Sequence, residues 1–470
     1  MKIYTNVLEM VGQTPMLEVN NIDTGLCRLF LKLELMNPGG SIKDRIGISM
    51  IAAAEHRGDI KPGDTIVEAT AGNTGLGLAL SAAQKGYKLI LVLPDKMSQE
   101  KIFNLRAMGA EVILTRSDVE KGHPEYYQDM AERISRQRGL YYVNQFGNPD
   151  NPKAHEEATA PEIWEQMDHD LDAVVLGVGS SGTVTGLSAF FRRMAPHVSI
   201  ILADPKGSVL ADYVNTGELG SPGGSWLVEG IGEDFLPSIC DLSFTTKAYS
   251  ITDTESFVAA RQLLKAEGLL VGSSSGTCLA AALKYCREQP TPQRVVTFAC
   301  DTGNKYLSKL FNDFWMEDEG FFSRQPTGDL RDLIGRPHEL HATVFVSPDD
   351  ILTTAHNRLR NAGFSQLPVM DGDRLLGVLT EENIIQHVYG TPDRMTALVK
   401  DAMQTSVYRV DKAMPIDQLV SRLKAVPYTA VMDGRQFLGL ITRSDVLNYL
   451  RKQLRDKPPV NLNHSMEGSS

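Results

Sequence analysis

The last third of the chain contains an internal repeat, and this repeat restricts what the whole chain can fold into. The segment from Pro368 to Thr380 recurs from Ala430 to Thr442 at a constant offset, with Met-Asp-Gly in both copies. Each copy reads as helix, strand, Asp-Gly turn, strand and helix, because the Asp-Gly pair separates two apolar, β-rich runs. We therefore predict that two small α/β units pack together as one module.

Before about residue 320, short apolar runs rich in β-forming residues alternate with helical patterns. The runs 88–93, 173–176 and 294–298 have the composition of buried strands, and a helical pattern that follows Ser98 is closed by Gly109. At 470 residues the chain also exceeds the length at which one hydrophobic core keeps growing. The alternation predicts a doubly wound α/β architecture ahead of the repeat module.

Composition and charge exclude several classes of function. The chain has 42% hydrophobic and 22% charged residues, as globular proteins do, and its net charge of -11 argues against a nucleic-acid partner. The first residues carry no secretory leader pattern, and the uncharged stretch 173–191 has Gly, Ser and Thr at its centre, which predicts a loop rather than a membrane helix. The five cysteines are scattered, without a C-x-x-C pair. We therefore expect a cytoplasmic protein without a metal or a membrane partner.

A single lysine follows a glycine-rich turn at the start of a helical pattern. Lys43 comes directly after Asn-Pro-Gly-Gly-Ser-Ile at 37–42. A lysine that forms a Schiff base needs a partly desolvated amine, and a helix N-terminus disfavours the protonated form. The alternative interpretation is an exposed charge cluster of Lys43 with Asp44 and Arg45.

Three small-residue loops could bind anions through their backbone N–H groups. They lie between strand-like and helix-like segments at 70–75, 177–183 and 272–276, although the third can also be a simple capped helix start. A dinucleotide site would need its glycine motif after the first strand, with an acidic residue about 20 positions on, and neither of the first two loops meets that full pattern. One lysine and three such loops favour a ligand with a carbonyl, a phosphate and a carboxylate. Pyridoxal phosphate carrying an amino acid supplies all three.

Residues 1 to about 320 resemble the fold-type II pyridoxal-phosphate β-family, which includes the cysteine synthases and the cystathionine β-synthases. Residues 12–16 and 161–164 also look like that family. The resemblance implies that Lys43 carries the cofactor as a Schiff base and transfers the substrate's α-proton, that Asn73 hydrogen-bonds the ring hydroxyl, and that Ser274 faces the pyridine nitrogen. It further implies phosphate binding by Gly179, Ser180, Ser181, Gly182 and Thr183, and substrate binding by Thr70, Gly72, Thr74, Gln145 and Glu229.

The repeats after residue 328 resemble paired CBS domains. The resemblance implies an adenosyl nucleotide effector held by Thr442 and Asp445, whereas the first copy has Thr380 and Asn383 at the equivalent positions. One effector site is therefore expected, and a purely structural module is the alternative. The expected fold is a fold-type II pyridoxal-phosphate enzyme of two doubly wound α/β subdomains with a C-terminal tandem CBS-domain (Bateman) module. The predicted boundaries are a catalytic domain at 1–322, a linker at 323–335, CBS repeats at 336–395 and 396–455, and a disordered tail at 456–470.

Departures from the family pattern leave the second substrate open. Phe146 follows Gln145 as it does in cysteine synthases. The segment 228–233 resembles the cystathionine β-synthase version through Glu229, but has Glu233 where those enzymes usually have tyrosine.

The resemblance implies a transsulfuration enzyme that condenses serine with homocysteine to cystathionine and also produces hydrogen sulfide from cysteine. No Cys and His pair precedes Tyr4, so no haem is expected. A homodimer or higher homo-oligomer is implied as well. The alternatives are cysteine synthesis from O-acetylserine or serine with sulfide and, from a different class, a non-catalytic sensor of an adenosyl ligand.

Overall fold

The structure is a computed structural model that describes residues 3–70, 72–220, 224–322 and 326–455. It divides into two compact units, Met1–Asn312 and Asp313–Ser470. This division falls ahead of the boundary expected at residue 322. The predicted tail at 456–470 and the first three residues of the predicted linker lie outside the described residues.

The first unit contains strands β1 to β10 and helices α1 to α10. The strands are β1 (Met16–Glu18), β2 (Arg28–Lys32), β3 (Thr65–Ala69), β4 (Lys88–Pro94), β5 (Glu111–Thr115), β6 (Tyr141–Tyr142), β7 (Ala173–Gly177), β8 (Ser199–Pro205), β9 (Thr245–Ile251) and β10 (Arg294–Phe298). The helices are α1 (Lys43–Arg57), α2 (Asn73–Lys85), α3 (Gln99–Ala107), α4 (Tyr127–Arg138), α5 (Asp150–Ala154), α6 (Ala160–Gln166), α7 (Gly182–Met194), α8 (Leu210–Thr216), α9 (Asp253–Glu267) and α10 (Ser273–Glu288). Short 3₁₀ helices span Val7–Met10, Glu34–Met36 and Gly303–Lys305, and a π-helical turn spans His155–Thr159.

The larger sheet has six strands among the described residues, in the order β1-β2-β10-β7-β8-β9. Neighbouring strands are parallel except for β1, which pairs antiparallel with β2. Val174 on β7 and Val296 on β10 are fully buried and pack in one core with Leu187 of α7. Because helices cover parallel strands, such strands read as continuous apolar runs, and the predictions for 173–176 and 294–298 are confirmed.

The smaller sheet has four parallel strands in the described part of the chain, in the order β5-β4-β3-β6. Successive side chains of β4 enter different cores, because the side chains of a strand alternate between its two faces. Leu91 packs with α1 and α2, whereas Ile90 and Val92 pack with Ala131 of α4. The predicted strand at 88–93 is therefore confirmed as a strand buried on both faces.

Helices α1 and α2 touch through their backbones at two glycines. A Cβ atom added to Gly47 would lie 2.4 Å from the carbonyl carbon of Gly77, and one added to Gly77 would lie 2.5 Å from the carbonyl oxygen of Lys43. Real Cβ atoms do not approach backbone atoms this closely, so both positions require glycine. The first turn of α1, which carries Lys43, is thereby fixed against α2.

The second unit contains the two copies of the repeat. Its helices are α11 (Asp313–Asp318), α12 (Leu352–Ala362), α13 (Glu381–Val388), α14 (Val399–Ala402), α15 (Ile416–Leu423) and α16 (Arg443–Arg455), with 3₁₀ helices at Leu330–Leu333 and Pro392–Thr396. Its strands are β11 (Gln366–Asp371), β12 (Arg374–Thr380), β13 (Arg409–Asp411), β14 (Tyr428–Asp433) and β15 (Gln436–Thr442). Strands β11 and β12 form one antiparallel hairpin, and β14 and β15 form another that pairs with β13. The predicted order of helix, strand, turn, strand and helix is confirmed in both copies.

The two copies share a core, and part of the predicted linker belongs to it. Met370 and Leu375 of the first copy pack with Ala430 and Phe437 of the second. The 3₁₀ helix Leu330–Leu333, which falls within the predicted linker, packs into the core of the second copy. The copies therefore form one module, and chain ahead of residue 336 contributes to it.

The glycine contact between α1 and α2 predicts the effect of adding one methyl group. We expect Gly77→Ala to lower the free energy of unfolding by about 1–3 kcal/mol, because α1 must shift to relieve the overlap. The shift also moves Lys43. Denaturant unfolding measures the loss of stability. Ala83→Ser adds one atom at an exposed position of the same helix and should change stability by less than about 0.5 kcal/mol. Equal stability of both variants would contradict the close contact.

Candidate active site

Strand ends and helix starts of the first unit surround one cavity of about 230 Å³. Its wall includes residues that follow the carboxyl ends of β3, β7 and β10, which is where open α/β sheets bind ligands. Most of the predicted site residues line it together: Lys43, Thr70, Asn73, Thr74, Gln145, Gly179, Ser180, Ser181, Thr183, Glu229 and Ser274. Gly72 and Gly182 lie beside it in the same loops. The loops chosen from sequence are therefore brought to one place.

Lys43 is the first residue of α1 and lies half-buried in the cavity wall. Burial lowers the pKa of its amine below the ordinary value, although nearby acidic groups oppose this. Asp44 and Arg45 are buried, with 0% and 5% of their surface exposed. The alternative of an exposed charge cluster is therefore wrong, and the amine has the reduced basicity that a nucleophile needs.

Asn73 is held from two sides by residues that sequence reasoning missed. Its Nδ2 donates to Asp301 Oδ2 at 2.7 Å, and its Oδ1 accepts from Lys305 Nζ at 3.0 Å. Lys305 Nζ also donates to the carbonyls of the glycine turn 39–40, at 2.9 and 3.2 Å. Burial lowers the pKa of Lys305 to about 8. Lys305 thus ties the turn before Lys43 to Asn73.

Gln145 connects the 70–75 loop to the strand that precedes it. Thr74 Oγ1 donates to Gln145 Oε1 at 2.7 Å, and Gln145 Nε2 donates to the carbonyl of Ala69 at 2.9 Å. Gly72 has a φ of 117°, which side-chain-bearing residues rarely adopt, and its N–H donates to Thr70 Oγ1 at 2.9 Å. These hydrogen bonds fix Thr70, Gly72 and Thr74 relative to the carboxyl end of β3.

The loop after β7 is built for close packing. A Cβ atom on Gly182 would lie 1.8 Å from Asn151 Oδ1, and Asn151 Nδ2 donates to Ser180 Oγ at 3.1 Å. Thr183 Oγ1 lies 3.3 Å from His155 Nε2. Within the described chain, the N–H groups of residues 179–181 donate to no other backbone group. With the start of α7 they form a set of donors suited to an anion.

Three consecutive serines open α10, and their surroundings differ. Ser273 Oγ accepts the N–H of Glu229 at 3.0 Å, and Ser275 Oγ accepts the N–H of Cys300 at 2.8 Å. Ser274 lines the cavity, and no described residue hydrogen-bonds its side chain. The hydroxyl of Ser274 is therefore the one of the three that is free for a ligand.

Glu229, which was expected to bind substrate, lies buried between two lysines. Lys101 Nζ is 2.7 Å from one carboxylate oxygen and Lys309 Nζ is 2.7 Å from the other. Burial would raise the pKa of Glu229, but the two lysines hold it below the ordinary value. Because Lys101 is also buried, loss of this carboxylate would leave an uncompensated buried charge. A substrate-binding role for Glu229 stays a prediction.

The predicted effector residues of the second unit form a helix cap. Thr442 donates to Asp445 Oδ2 through its N–H at 2.7 Å and through Oγ1 at 2.6 Å. Thr380 and Asn383 form the same arrangement at the start of α13, at 3.1 and 2.9 Å. The pair therefore caps a helix in both copies, and ligand binding by Thr442 and Asp445 stays a prediction.

The uncharged stretch 173–191 consists of β7, a loop and part of α7, so the prediction of a loop at its centre is confirmed. No helix in the described ranges is long and apolar enough to cross a membrane. The described residues contain no group of three or more His, Cys, Asp or Glu side chains that could hold a metal ion.

Comparisons with known proteins match both units. The family model for pyridoxal-phosphate-dependent enzymes matches residues 7–301, and the CBS-domain model matches 339–390 and 399–452. A cystathionine β-synthase from Dictyostelium discoideum is 35% identical over 469 residues, covering 96% of this chain and 93% of that protein. An O-acetylserine-dependent cystathionine β-synthase from Bacillus subtilis (strain 168) is 39% identical and covers 66% of this chain and 98% of its own length. The crystal structure of a hydrogen sulfide-producing enzyme from Fusobacterium nucleatum has a TM-score of 0.60 and 35% identity, covering 65% of this chain and 100% of its own.

A buried acid lies in the strand that leads into the 70–75 loop. Glu68 of β3 is fully buried, its Oε1 accepts the N–H of Gln145 at 3.4 Å, and its Oε2 has no hydrogen-bond partner among the described residues. Burial raises the pKa of Glu68 to about 8. The folded protein therefore keeps this proton at pH values where the unfolded chain has lost it.

We predict that Glu68→Gln stabilises the protein in a pH-dependent way. Stability falls as pH rises from the ordinary glutamate pKa toward 8, because the unfolded state releases a proton that the folded state retains. Glu68→Gln removes this pH-dependent loss of stability. The free energy of unfolding of the variant should therefore exceed that of the parent by an amount that grows with pH to on the order of 4 kcal/mol. Denaturant unfolding at pH 5.5 and pH 8 measures the difference. Glu111→Gln, at the exposed start of β5, should show no such gain, and equal behaviour of the two variants would contradict the prediction.

Proposed function

The chain belongs to the pyridoxal-phosphate-dependent enzymes and, within them, to the cystathionine β-synthases, and on this premise we propose that it condenses serine with homocysteine to cystathionine and water. A side activity that releases hydrogen sulfide from cysteine is part of the proposal. Pyridoxal-phosphate-dependent β-replacement is the chemistry common to these relatives, and the proposal concerns the substrates. The observation that carries it is the likeness to the Dictyostelium enzyme, which extends over 96% of the chain.

Pyridoxal phosphate fits the groups around the cavity. Its aldehyde needs an amine, and Lys43 offers one whose basicity is reduced by burial. Its phosphate needs hydrogen-bond donors, which residues 179–183 supply at the start of α7. Its ring hydroxyl and pyridine nitrogen would face Asn73 and Ser274. When bound, it supplies an electron sink that makes the α-hydrogen of an amino acid acidic.

The remaining steps depend on the chain's own residues. The carboxylate of serine would be held by Thr70, Gly72, Thr74 and Gln145, and the hydrogen bonds of Gln145 orient this loop before the substrate arrives. Lys43 would remove the α-proton and return it to the product.

A second candidate uses O-acetylserine, with homocysteine or sulfide as the nucleophile. The Bacillus relative is named for its dependence on O-acetylserine, and the Fusobacterium enzyme for the production of hydrogen sulfide. These two proteins cover 66% and 65% of this chain, so about a third of it has no counterpart in them. For this reason the reaction of serine with homocysteine is preferred.

The repeat module would bind an adenosyl nucleotide through Thr442 and Asp445. A carboxylate can accept hydrogen bonds from both hydroxyls of a ribose, whereas Asn383 in the first copy has one acceptor oxygen in its side chain. A homodimer or higher homo-oligomer, a cytoplasmic location and the lack of a haem are further expectations.

Product analysis of the purified holoprotein tests the substrates. The protein is incubated with serine and homocysteine and, in parallel, with O-acetylserine and sulfide, and the products are identified by mass spectrometry. We expect cystathionine as the main product and a kcat/KM for homocysteine at least about tenfold above that for sulfide. Cysteine as the main product would replace the proposal by a cysteine synthase.

Replacing the lysine tests its role in the same assay. We expect Lys43→Ala to lower turnover by at least about 100-fold, because the variant loses the group that transfers the α-proton. Its unfolding midpoint should stay close to that of the parent. Lys88→Ala, exposed at the amino end of β4, is the matched control and should keep full activity. Turnover by Lys43→Ala at the parent rate would contradict the mechanism.

The repeated helix cap provides a control for the effector site. We expect Asp445→Ala to weaken binding of AMP, ATP or S-adenosylmethionine at least about tenfold in calorimetry, because two charge-assisted hydrogen bonds are lost. Asn383→Ala removes the equivalent cap from the first copy and should leave affinity unchanged. Equal loss of affinity in both variants would assign the effect to the caps instead, and unchanged affinity in both would place the ligand elsewhere.

A further inference from the structure

Glu233 is a buried acid in the wall of the same cavity, and none of the roles above uses it. It is 9% exposed and lines the cavity together with Lys43. Its backbone is anchored, because its N–H donates to Ser208 Oγ at 3.1 Å and its carbonyl accepts the N–H of Val209 at 3.0 Å.

The carboxyl group of Glu233 has no partner in the part of the chain that the structure describes. No hydrogen bond or ion pair to it is formed there, in contrast to Glu229, which two lysines neutralise. Burial, with the adjacent Asp234, raises the pKa of Glu233 well above its ordinary value, even though Lys43 opposes the rise. The charged and titratable groups around it are Lys43, Lys121, Tyr126, Tyr127, Asp204, Asp234 and Cys240. Burial therefore favours the protonated form of Glu233, which is the form that can donate a proton.

Loss of the serine hydroxyl creates a demand for such an acid. Hydroxide is a poor leaving group, because the pKa of water is about 15.7, and a proton must reach the oxygen as the bond to the β-carbon breaks. Acetate needs no such help, since carboxylic acids have pKa values near 4. Lys43 holds the α-proton at this stage, and giving it to the oxygen would require the thiol to reload the same amine before the product is completed. A second acid in the cavity separates these two proton transfers.

We propose that Glu233 is the general acid that protonates the departing β-hydroxyl of serine and thereby adapts this cavity to serine rather than to O-acetylserine. The inference rests on the proposed β-replacement and deepens it by naming the residue that selects the leaving group. It makes Glu233 a catalytic residue, in direct contact with the hydroxyl that leaves.

The protons balance over one turnover. The bond between the β-carbon and oxygen breaks with its electron pair on oxygen, which takes the proton of Glu233 and leaves as water. The incoming thiol gives its proton to the Glu233 carboxylate as its sulfur forms the new bond to the β-carbon. Lys43 returns the α-proton, so the enzyme ends in its starting state and one thiol and one serine have become a thioether and water.

The test compares two leaving groups in the holoenzyme. With homocysteine held constant, kcat/KM is measured for serine and for O-acetylserine in the parent protein and in Glu233→Gln. We expect the variant to lose at least about 100-fold with serine, the range over which general acids contribute, and to stay within about threefold with O-acetylserine. Glu233→Asp, which keeps the acid, should recover at least about tenfold of the serine activity lost in Glu233→Gln. Glu218→Gln makes the same change at an exposed carboxylate outside the cavity and should keep the parental ratio of the two substrates.

Three outcomes would overturn the inference. An equal loss with both substrates would mean that Glu233 supports the fold or a step that both substrates share, rather than the departure of the hydroxyl, and no loss with either would mean that it has no part in the reaction. A parent protein that accepts only O-acetylserine would also refute the assignment while leaving β-replacement intact. If the parent prefers sulfide over homocysteine, the ratio of kcat/KM for serine to that for O-acetylserine is measured with sulfide instead. An error in the proposed nucleophile is thereby distinguished from an error in the role of Glu233.

Discussion

The direct backbone contact between α1 and α2 is the constraint on which the rest of the site depends. It places the carbonyl of Lys43 where a single methyl group on Gly77 would overlap it. Because α2 begins at Asn73, the same contact sets the separation between the lysine and the 70–75 loop. Lys305 adds a third restraint, because its Nζ donates both to Asn73 and to the turn that precedes Lys43. The lysine is therefore positioned by rigid elements rather than by a mobile loop, as precise chemistry requires.

The same packing buries acids beneath the site. Burial raises the pKa of Asp44 to about 7 and that of Glu68 to about 8, and each lies under one of the loops that line the cavity. Asp44 accepts the N–H of Gly39 in the turn before Lys43, while Glu68 supports Gln145. Each group lowers stability at neutral pH, because the unfolded chain would ionise it freely. Such local losses of stability are typical of functional sites, which are not optimised for maximal stability.

Local sequence patterns predicted the helices and strands, but they could not predict contacts between residues that are distant in sequence. The run 294–298 predicted β10 because a strand buried on both faces is apolar throughout. The helix after Ser98 also forms, as α3, although Phe103 within it is 60% exposed. Asp301 and Lys305 could not be linked to Asn73 by periodicity, since more than 200 positions separate them. The one available signal was that Asp301 follows a predicted strand end, where ligands of α/β sheets bind.

In the second unit, the two repeat copies share one fold and differ at one side chain of the helix cap. Thr380 with Asn383 and Thr442 with Asp445 form the same cap, so capping alone does not require a carboxylate. Burial raises the pKa of Asp445, which means that its charge is poorly solvated where it stands. A ligand with two hydroxyl donors would offset that loss through charge-assisted hydrogen bonds, whereas an amide has less to gain. The difference between the copies, rather than the fold that they share, is therefore the argument for one binding site.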